Sequence, residues 1–381
     1  MALLDITLGE HREGEAPAEP CSQTCGSAGA SPSPKTLRLG NLTLQSRYFL
    51  SPLAGYTNMP FRVAVRELGG LGLATTELVS TRALLLGSAK TSEYIETCPG
   101  DSPFAVQIFG ADAKEMADAA QWLENYGAAV IDINMGCPVA KVVKGGGGSA
   151  MMCNVVGTTA LVRTIVEAVR IPVTVKMRLG WDAQTLTAPN LAREFEQAGV
   201  AAVMIHGRTR EQGFGGRVNL DGIRSVVEAV ERMPIIGNGD VRSIADAEHM
   251  FKVTGCAGIA IGRGALLNPW IFAQLCEWET TGQIGAIPGY DRRLDFMTRH
   301  YMLLVEQRGE RHASLTFRKC GGWYSKVLKP GKEIHRRLMM LERVADFDGI
   351  VSELRAKGPP PHWKAGEMPE IAVPAGPISH W

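Results

Sequence analysis

The sequence has no long apolar run, because none approaches the ~18–20 residues that a membrane-spanning helix needs. Residues 1–20 lack the basic start and sustained apolar core of a secretory signal, which argues against export. The formal net charge is only +1 over 381 residues, so the overall charge indicates no particular class of partner. These absences predict a cytoplasmic protein without a membrane partner. Because no exposed apolar stripe stands out in the sequence, we also expect a monomer.

Cysteines at metal-ligand or disulfide spacing are also scarce. Of the eight cysteines, only Cys21 and Cys25 stand close together, in a segment rich in Ser, Pro and Gly. Scattered cysteines in a long chain are typical of a reducing compartment, where most of them serve as small apolar residues. No second cysteine stands at zinc-ligand spacing from Cys137, so we expect no metal there.

Shifts in composition divide the chain into four parts. The first part is rich in Ala, Ser, Pro, Gly and Glu and holds too few apolar residues for a core, which predicts disorder. The expected parts are a disordered leader over residues 1–35, a catalytic barrel over 36–290, a basic helical domain over 291–355 and a Pro-rich tail over 356–381.

The second part repeats one unit, a short apolar run followed by a helical pattern. A hairpin signal around Gly40-Asn41 precedes it. The eight runs span residues 48–55, 71–78, 103–110, 129–136, 172–180, 202–209, 234–240 and 258–264. Near-continuous apolar runs are typical of parallel strands covered on both faces, and Gly127, Gly199 and Gly255 stand where a helix returns to a strand. Eight such units favour a (β/α)₈ TIM barrel over a doubly wound sheet.

The third part has a different pattern. Arg292–Arg343 hold 13 Lys or Arg residues against 5 Asp or Glu, and their apolar residues follow helical spacing. We therefore predict a small, basic, all-α domain after a mildly acidic barrel.

Polar residues follow the apolar strands, at the end where TIM barrels carry their active sites. The residues at these ends are Pro52, Leu53, Ala54, Glu77, Gln107, Asn134, Cys137, Lys176, Arg178, His206, Arg208, Arg210, Asn238, Gly239, Asp240, Gly262 and Arg263. The small residues in "NGD" and "GRG", after the last two strands, would let backbone amides approach a phosphate. Ordinary turns would have the same composition.

Three of these residues allow more than one interpretation from the residues alone. Cys137 could be small apolar filler, a nucleophile or a proton donor, although nothing signals the oxyanion hole that a Cys-His hydrolase needs. Lys176 could form an ion pair, a Schiff base or a cation against a cofactor. His206 could be a core histidine or a cofactor contact.

In its motifs the chain resembles the tRNA-dihydrouridine synthases, flavin enzymes that reduce uridines in tRNA. The resemblance spans about Leu37 to Val344 and is nearest to the bacterial B-type branch. The motifs that carry it are "SPLAGYTNMPFR", "DINMGCPVAKV", "IHGRTR", "NGD", "IGRGALLNPWIF" and "FRKCGGWYSK".

The resemblance implies a role for each matched residue. Cys137 matches the general acid of the family, with Asn134 beside it. The implied FMN contacts are Pro52, Leu53, Ala54, Gln107, Lys176, His206, Asn238, Gly239, Asp240, Gly262 and Arg263. The expected tRNA contacts are Asn134, Arg178, Arg208, Arg210, Arg318 and Lys319. NADPH is expected to re-reduce the flavin, and the substrate is expected to be a uridine of the tRNA D-loop.

The required chemistry agrees with these roles. Reduction of the uracil C5–C6 bond needs a hydride at C6 and a proton at C5, and a thiol with a pKa of roughly 8.5 is protonated at neutral pH. A basic domain suits a polyanion, and the Gly145–Gly148 loop beside Cys137 is expected to move as the nucleotide enters. The alternatives are an FMN barrel that acts on a free pyrimidine and a tRNA-binding protein without chemistry.

Overall fold

The computed structural model describes residues 34–371. Most of the leader predicted over residues 1–35, and the end of the tail over residues 372–381, lie outside these described residues.

The described chain begins with the predicted hairpin. Strands β1 (Leu37–Leu39) and β2 (Leu42–Leu44) pair antiparallel through the two-residue turn Gly40-Asn41. Gly40 has a φ of 55°, in the left-handed region that glycine adopts without a steric penalty. Leu39 and Leu44 are buried among barrel residues that include Leu73 and Val130, near the strand starts. The hairpin therefore covers the end of the barrel opposite to the strand ends that carry polar residues.

A closed parallel barrel follows. Its eight strands are β3 (Tyr48–Leu50), β4 (Leu73–Thr75), β6 (Phe104–Phe109), β7 (Val130–Met135), β8 (Val173–Arg178), β9 (Ala202–His206), β10 (Ile235–Asn238) and β11 (Gly258–Ile261). Each strand pairs with its neighbours in chain order, and the β11–β3 and β4–β6 pairings close the ring. A two-residue strand, β5 (Val79–Ser80), extends the pairing of β6. The prediction of a TIM barrel is confirmed.

Each predicted run contains a strand, but most strands stop before the run does. The run over residues 48–55 holds only Tyr48–Leu50 as strand, and the run over 258–264 holds Gly258–Ile261. The remaining residues of these runs form the loops above the barrel. Apolar composition continues into the loops because they still pack on the core.

Helices surround the strands. They are α1 (Met59–Arg66), α2 (Thr81–Leu85), α3 (Ala89–Ile95), α4 (Ala113–Tyr126), α5 (Ala140–Lys144), α6 (Val155–Ala168), α7 (Ala188–Gln197), α8 (Leu220–Val227), α9 (Ile244–Thr254), α10 (Arg263–Leu267) and α11 (Ile271–Thr281), with 3-10 turns at Pro99–Asp101 and Gly148–Cys153. Gly127, Gly199 and Gly255 have φ values of 106°, 87° and 69° where helices α4, α7 and α9 give way to strands. These three glycines occupy the helix-to-strand returns that the sequence predicts.

The chain after the barrel is helical. Helix α12 (Tyr290–Leu328) breaks at Gly309, where φ is 73° and ψ is 161°, and α13 (Lys332–Met339) and α14 (Val344–Lys357) follow. Tyr301, Phe317 and Phe347 form the aromatic centre of a separate core there, with ring centroids 4.2–5.5 Å apart. The helical C-terminal region is confirmed, while the predicted boundaries at residues 290/291 and 355/356 stay predictions.

Helices α1 and α12 hold the helical region against the barrel. Phe61 of α1 lies edge-on to Phe296 and next to His300, both on α12, with ring centroids 6.4 and 5.3 Å apart. His300 Nδ1 and the Tyr324 hydroxyl share a 2.9 Å hydrogen bond, and Tyr324 stacks on Phe317. This aromatic contact ties the part of α12 that follows the Gly309 break to the part that precedes it and to α1.

Residues 34–371 contain neither a membrane-spanning helix nor a cluster of metal-binding side chains. No helix in that range is long and apolar enough to cross a membrane. In the same range, no group of three or more His, Cys, Asp or Glu side chains is arranged to hold a metal ion.

Candidate active site

A cavity of about 800 Å³ opens at the carboxyl ends of the barrel strands. It has the size of a typical small-molecule site. All residues that the resemblance matched to flavin contacts line it, together with Cys137 and three of the residues expected to contact tRNA, Asn134, Arg178 and Arg208. The lining set is Pro52, Leu53, Ala54, Gln107, Asn134, Cys137, Lys176, Arg178, His206, Arg208, Asn238, Gly239, Asp240, Gly262 and Arg263.

A buried chain of side-chain hydrogen bonds runs under one wall of the cavity. Thr174 and Gln107 donate to the two carboxylate oxygens of Asp132 at 2.7 Å each. Asn134 Nδ2 donates to Gln107 Oε1 at 2.9 Å, and the Cys137 amide donates to Asn134 Oδ1 at 3.0 Å. Burial raises the pKa of Asp132, and the hydrogen bonds from Thr174 and Gln107 oppose that rise. These hydrogen bonds tie strands β6, β7 and β8 to residues 136–139, the cysteine loop between β7 and α5.

Cys137 is partly buried on the rim of the cavity. Burial raises the pKa of its thiol, while a hydrogen bond from the Val139 amide and the charge of Arg178 act in the opposite direction. Its carbonyl accepts from the Ser149 amide at 3.1 Å, so the segment after the glycine run folds back onto the cysteine. A Cβ added at Gly148 would lie 2.8 Å from this carbonyl oxygen, so only glycine allows the approach.

Lys176 and His206 lie on neighbouring strands below the cavity. Lys176 Nζ donates to Asn238 Oδ1 at 3.0 Å, and Asn238 donates in turn to the Ala260 carbonyl at 2.8 Å. Burial lowers the pKa of Lys176 to about 8, with the charge of Arg178 adding to the fall and that of Asp132 opposing it. Burial also lowers the pKa of His206 well below its ordinary value, so its ring is neutral at pH 7.

Arg208 joins the loop after β9 to the loop after β10. Its guanidinium forms a two-pronged contact with Asp240, at 3.0 and 2.7 Å, and also donates to the carbonyls of Gly215 and Gly216. Asp240 has a φ of 54°, which is uncommon for a residue other than glycine. The buried arginine therefore holds Asp240 in this conformation at the cavity wall.

Arg178 performs a similar role between two other loops. It donates to the carbonyls of Gly136, Thr209 and Gly213 at 2.7–2.9 Å, and its guanidinium lies 5.2 Å from the ring centroid of Phe214. Because both arginines are 2% exposed and bound to protein groups, their geometry indicates positioning of loops.

Three of the predicted tRNA contacts lie outside the cavity. Arg210 lies 4.5 Å above the Trp181 ring, and Arg318 donates to the carbonyls of Leu341 and Met340 in the helical region. Lys319 is exposed.

Lys319 reaches the loop after β3, at the cavity mouth. A Cβ added at Gly55, where φ is 82°, would lie 2.6 Å from the Lys319 ammonium. The Gly55 amide donates to the buried carboxylate of Glu77. Burial raises the pKa of Glu77, and the charge of Lys319 is among the effects that oppose this rise. Lys319 therefore places a cation from the helical region at the rim of the barrel.

Comparison with known proteins agrees with this geometry. The sequence model of the dihydrouridine synthase family matches residues 49–356. The chain belongs to the dihydrouridine synthase family. It is 37% identical over 325 residues to a probable tRNA-dihydrouridine synthase of Rickettsia conorii, covering 83% of this chain and 98% of the relative. It is also 37% identical over 307 residues to tRNA-dihydrouridine synthase B of Pseudomonas putida, covering 80% and 90% of the two chains.

Within this dihydrouridine synthase fold, the structure adds residues that the strand-end pattern did not single out for the site. Asp132 lies inside strand β7, and the sequence alone does not distinguish it from any other strand residue. Its role depends on partners on the neighbouring strands β6 and β8. Tyr56 and Trp323 meet edge-to-face at 6.2 Å, and both line the cavity. Phe214, between Arg178 and Arg263, lines it as well. Tyr56 and Trp323 lie inside two of the motifs and Phe214 follows a third, so an aromatic residue in or beside a motif was the signal that could have found them.

Proposed function

We propose that the protein reduces uridines of tRNA to 5,6-dihydrouridine, with FMN as the bound cofactor and NADPH as the reductant. The observation that carries the proposal is the position of Cys137. A buried hydrogen-bond chain holds this thiol on the rim of a cavity that the flavin-matched residues line.

The residues present suit FMN. Gln107, Lys176 and His206 supply amide, ammonium and imidazole groups at the polar end of the cavity, which a flat heteroaromatic ring with edge donors and acceptors requires. A Cβ added at Gly239 would lie 2.5 Å from Val218 Cγ2, and one at Gly264 would lie 2.2 Å from the Val241 carbonyl oxygen. Backbone at these tight turns, with Arg263 beside it, would hold the phosphate.

The division of labour in the reaction follows from the groups available. FMN, when bound and reduced, supplies the hydride that uracil C6 accepts. Cys137 holds the proton for C5, and burial favours its protonated thiol form at pH 7. Asn134 and Arg178 fix the peptide unit that joins Gly136 to Cys137, since one accepts from the Cys137 amide and the other donates to the Gly136 carbonyl.

The same proposal assigns the helical region, residues 291–355, to tRNA binding. A uridine must leave its stack to reach a thiol at the cavity rim, and the enzyme must hold the surrounding phosphates. Lys319 and Lys326 are exposed on the part of α12 that contains Trp323, which lines the cavity. The proposal adds Arg318, which donates to the carbonyls of Leu341 and Met340, and Arg210, which lies over the Trp181 ring, as further tRNA contacts. It also takes the uridine from the D-loop of the tRNA.

The proposal includes a cytoplasmic monomer. A tRNA substrate supports the cytoplasmic location, and the surface of the protein supports the monomer. Large exposed apolar side chains within residues 34–371 include Val156 on α6 and, in three separate loops, Leu86, Ile284 and Met340. Scattered single apolar residues of this kind are ordinary on a monomer surface.

The direct test compares Cys137→Ala with wild type for dihydrouridine formed in tRNA by the purified protein with NADPH. Loss of the proton donor is expected to lower the rate by about 100-fold or more, with bound FMN unchanged. The matched control is Cys153→Ala, which removes an exposed cysteine and should retain full activity.

Three outcomes would contradict parts of the proposal. Equal rates for wild type and Cys137→Ala would remove Cys137 from its role. Turnover of a free pyrimidine without RNA would favour a small-molecule oxidoreductase instead. Binding of tRNA by a protein that never retains FMN would favour an RNA-binding protein without chemistry.

A further inference from the structure

We infer that Asp132 is a positioning residue, which sets the direction of the hydrogen-bond chain that ends on the amide of Cys137. The inference builds on the proposed function of Cys137 as the proton donor to uracil. Asp132 is 1% exposed, does not line the cavity and has no place among the predicted contacts.

The first step concerns what each end of the chain can do. At one end, the backbone N–H of Cys137 can only donate, so Asn134 must turn its oxygen toward the cysteine loop. The Asn134 amide nitrogen then faces Gln107 and must meet an oxygen there. Gln107 is therefore oriented with its own nitrogen toward Asp132.

The second step concerns the other end. Asp132 accepts from Gln107 through one carboxylate oxygen and from Thr174 through the other, so it selects the same orientation of Gln107 that the cysteine amide requires. The two ends agree, and every side-chain nitrogen and oxygen of Asp132, Gln107 and Asn134 has a partner. The side-chain amide of Gln107 has two orientations of similar shape, which exchange its nitrogen and its oxygen. Asp132 accepts a hydrogen bond in only one of them, so it excludes the other.

The third step concerns burial. Asp132 is 1% exposed and lies outside the cavity lining, so water does not readily replace it as the partner of Gln107. A buried chain with one unmatched contact is more costly than either a complete chain or none. Loss of Asp132 would therefore release Gln107 and Asn134 to turn, and the amide of Cys137 would lose its acceptor.

The proposal predicts two effects of opposite sign for Asp132→Leu, which is similar in size but offers no acceptor. Release of the cysteine loop should expose the thiol and speed the alkylation of Cys137 by iodoacetamide at least about 5-fold. The same release should slow dihydrouridine formation in tRNA at least about 10-fold, because the proton donor is no longer aligned. Alkylation is measured by mass spectrometry of the Cys137 peptide, at equal FMN content.

Two further variants separate positioning from charge and from general packing. Asp132→Asn keeps an oxygen for Gln107 and can turn its amide nitrogen to the hydroxyl of Thr174, so both rates should stay within about 3-fold of wild type. Thr174→Val is the matched control, because it also leaves one buried oxygen of Asp132 without its donor, but on the branch that does not lead to Cys137. It should leave both rates within about 2-fold.

The outcomes decide among the explanations. Asp132→Asn as damaging as Asp132→Leu would overturn the inference, because charge and not bond direction would then matter. Unchanged Cys137 alkylation in Asp132→Leu would overturn it as well. If Asp132→Leu fails to fold, Gln107→Met breaks the next bond and must show the faster alkylation. A wild type that makes no dihydrouridine defeats the proposed function, while the alkylation series still tests the chain.

Discussion

At the scale of single residues, Lys176 is a cavity-lining group whose charge can change near physiological pH. Its pKa of about 8 results first from burial, and it lies on the wall where a flavin ring would be held. Without a ligand, its contribution to folding stability should increase between pH ~8 and ~10.4, because the unfolded chain binds the extra proton in that range.

FMN affinity should therefore depend on pH through Lys176. Affinity should be level up to about pH 7.5 and decline above about pH 8 as the ammonium loses its proton, by up to about 10-fold per pH unit. Fluorescence titration of FMN with the apoprotein measures the effect. Lys176→Met is expected to bind more weakly at pH 7 and to show no such decline. Parallel pH curves for the two proteins would show that another group is responsible.

A second residue-scale feature is the buried ion pair of Arg62 and Asp101. Both side chains are fully buried, and Arg62 also donates to the carbonyls of Thr57 and Glu96 at 2.9 and 2.7 Å. Asp101→Ala leaves an unpaired buried guanidinium and should lower the free energy of unfolding by about 3–5 kcal/mol. Urea unfolding at pH 7 measures the loss.

The control for this prediction is an ion pair on the surface. Asp118→Ala removes the partner of Lys114 on helix α4, where both side chains are largely exposed. Exposed pairs contribute little, so the urea midpoint should not move. A loss at Asp118 equal to that at Asp101 would show that the assay does not report burial of charge.

What the sequence can predict at this scale depends on the side chain. Lys176 and His206 are unusual at the ends of apolar strands, so their place at the site could be predicted, and both line the cavity. Arg178 and Arg208 could not be separated from nucleic-acid contacts, because sequence does not tell whether a guanidinium meets a phosphate or a backbone carbonyl. The role of Asp132 could not be predicted, because its hydrogen-bond partners Gln107 and Thr174 lie 25 and 42 residues away in the sequence.

At the scale of elements, the segment after Cys137 is more ordered than its run of glycines indicates. Helix α5 follows the cysteine, and the Gly147 amide donates back to the Val142 carbonyl at 3.2 Å. Gly146 has a φ of 79° and donates to the Val143 carbonyl at 3.0 Å. The glycines here allow a tight return to the cysteine, which composition alone does not distinguish from flexibility.

Gly146→Pro should therefore disturb turnover. Proline requires a φ near about −65° and has no N–H, so it excludes both the conformation and the hydrogen bond at this position. We expect dihydrouridine formation to fall at least about 10-fold while FMN content stays the same. Lower FMN content with normal turnover per bound flavin would instead make the loop part of the cofactor pocket.

The chain offers a matched control at Gly87. That glycine has a φ of 69°, donates to the Leu84 carbonyl at 2.9 Å and does not line the cavity. Gly87→Pro carries the same local strain and the same lost bond, so a comparable loss of thermal stability with normal turnover is expected. An equal loss of turnover in both variants would indicate general destabilisation.

At the scale of the whole molecule, the barrel and the basic helices could both be predicted, because each follows from a property that repeats along the chain. The eight apolar runs favour a closed parallel sheet, and the local excess of Lys and Arg marks the helical region. Their junction could not be predicted. The contact of Phe61 with Phe296 and His300 joins residues more than 200 positions apart, and no periodicity encodes such a pairing.

The charge of the helical region should be visible in the salt dependence of tRNA binding. Many of its cations are already paired within the protein, such as Arg299 with Glu67 and Arg337 with Glu353. Lys319→Gln and Lys326→Gln should each reduce the slope of log affinity against log salt by about one. Filter binding from 50 to about 200 mM salt measures the slope, and Lys114→Gln, on α4, should leave it unchanged.

The approach of Lys319 to Gly55 has a consequence for hybrid enzymes. A barrel and a helical region taken from two relatives could each fold and still fail together. A side chain at position 55 would push the ammonium away from Glu77, so the charge presented to RNA by one half depends on a loop in the other. A chimera should therefore exchange the loop around position 55 together with the helices, because the junction joins residues that are distant in the sequence.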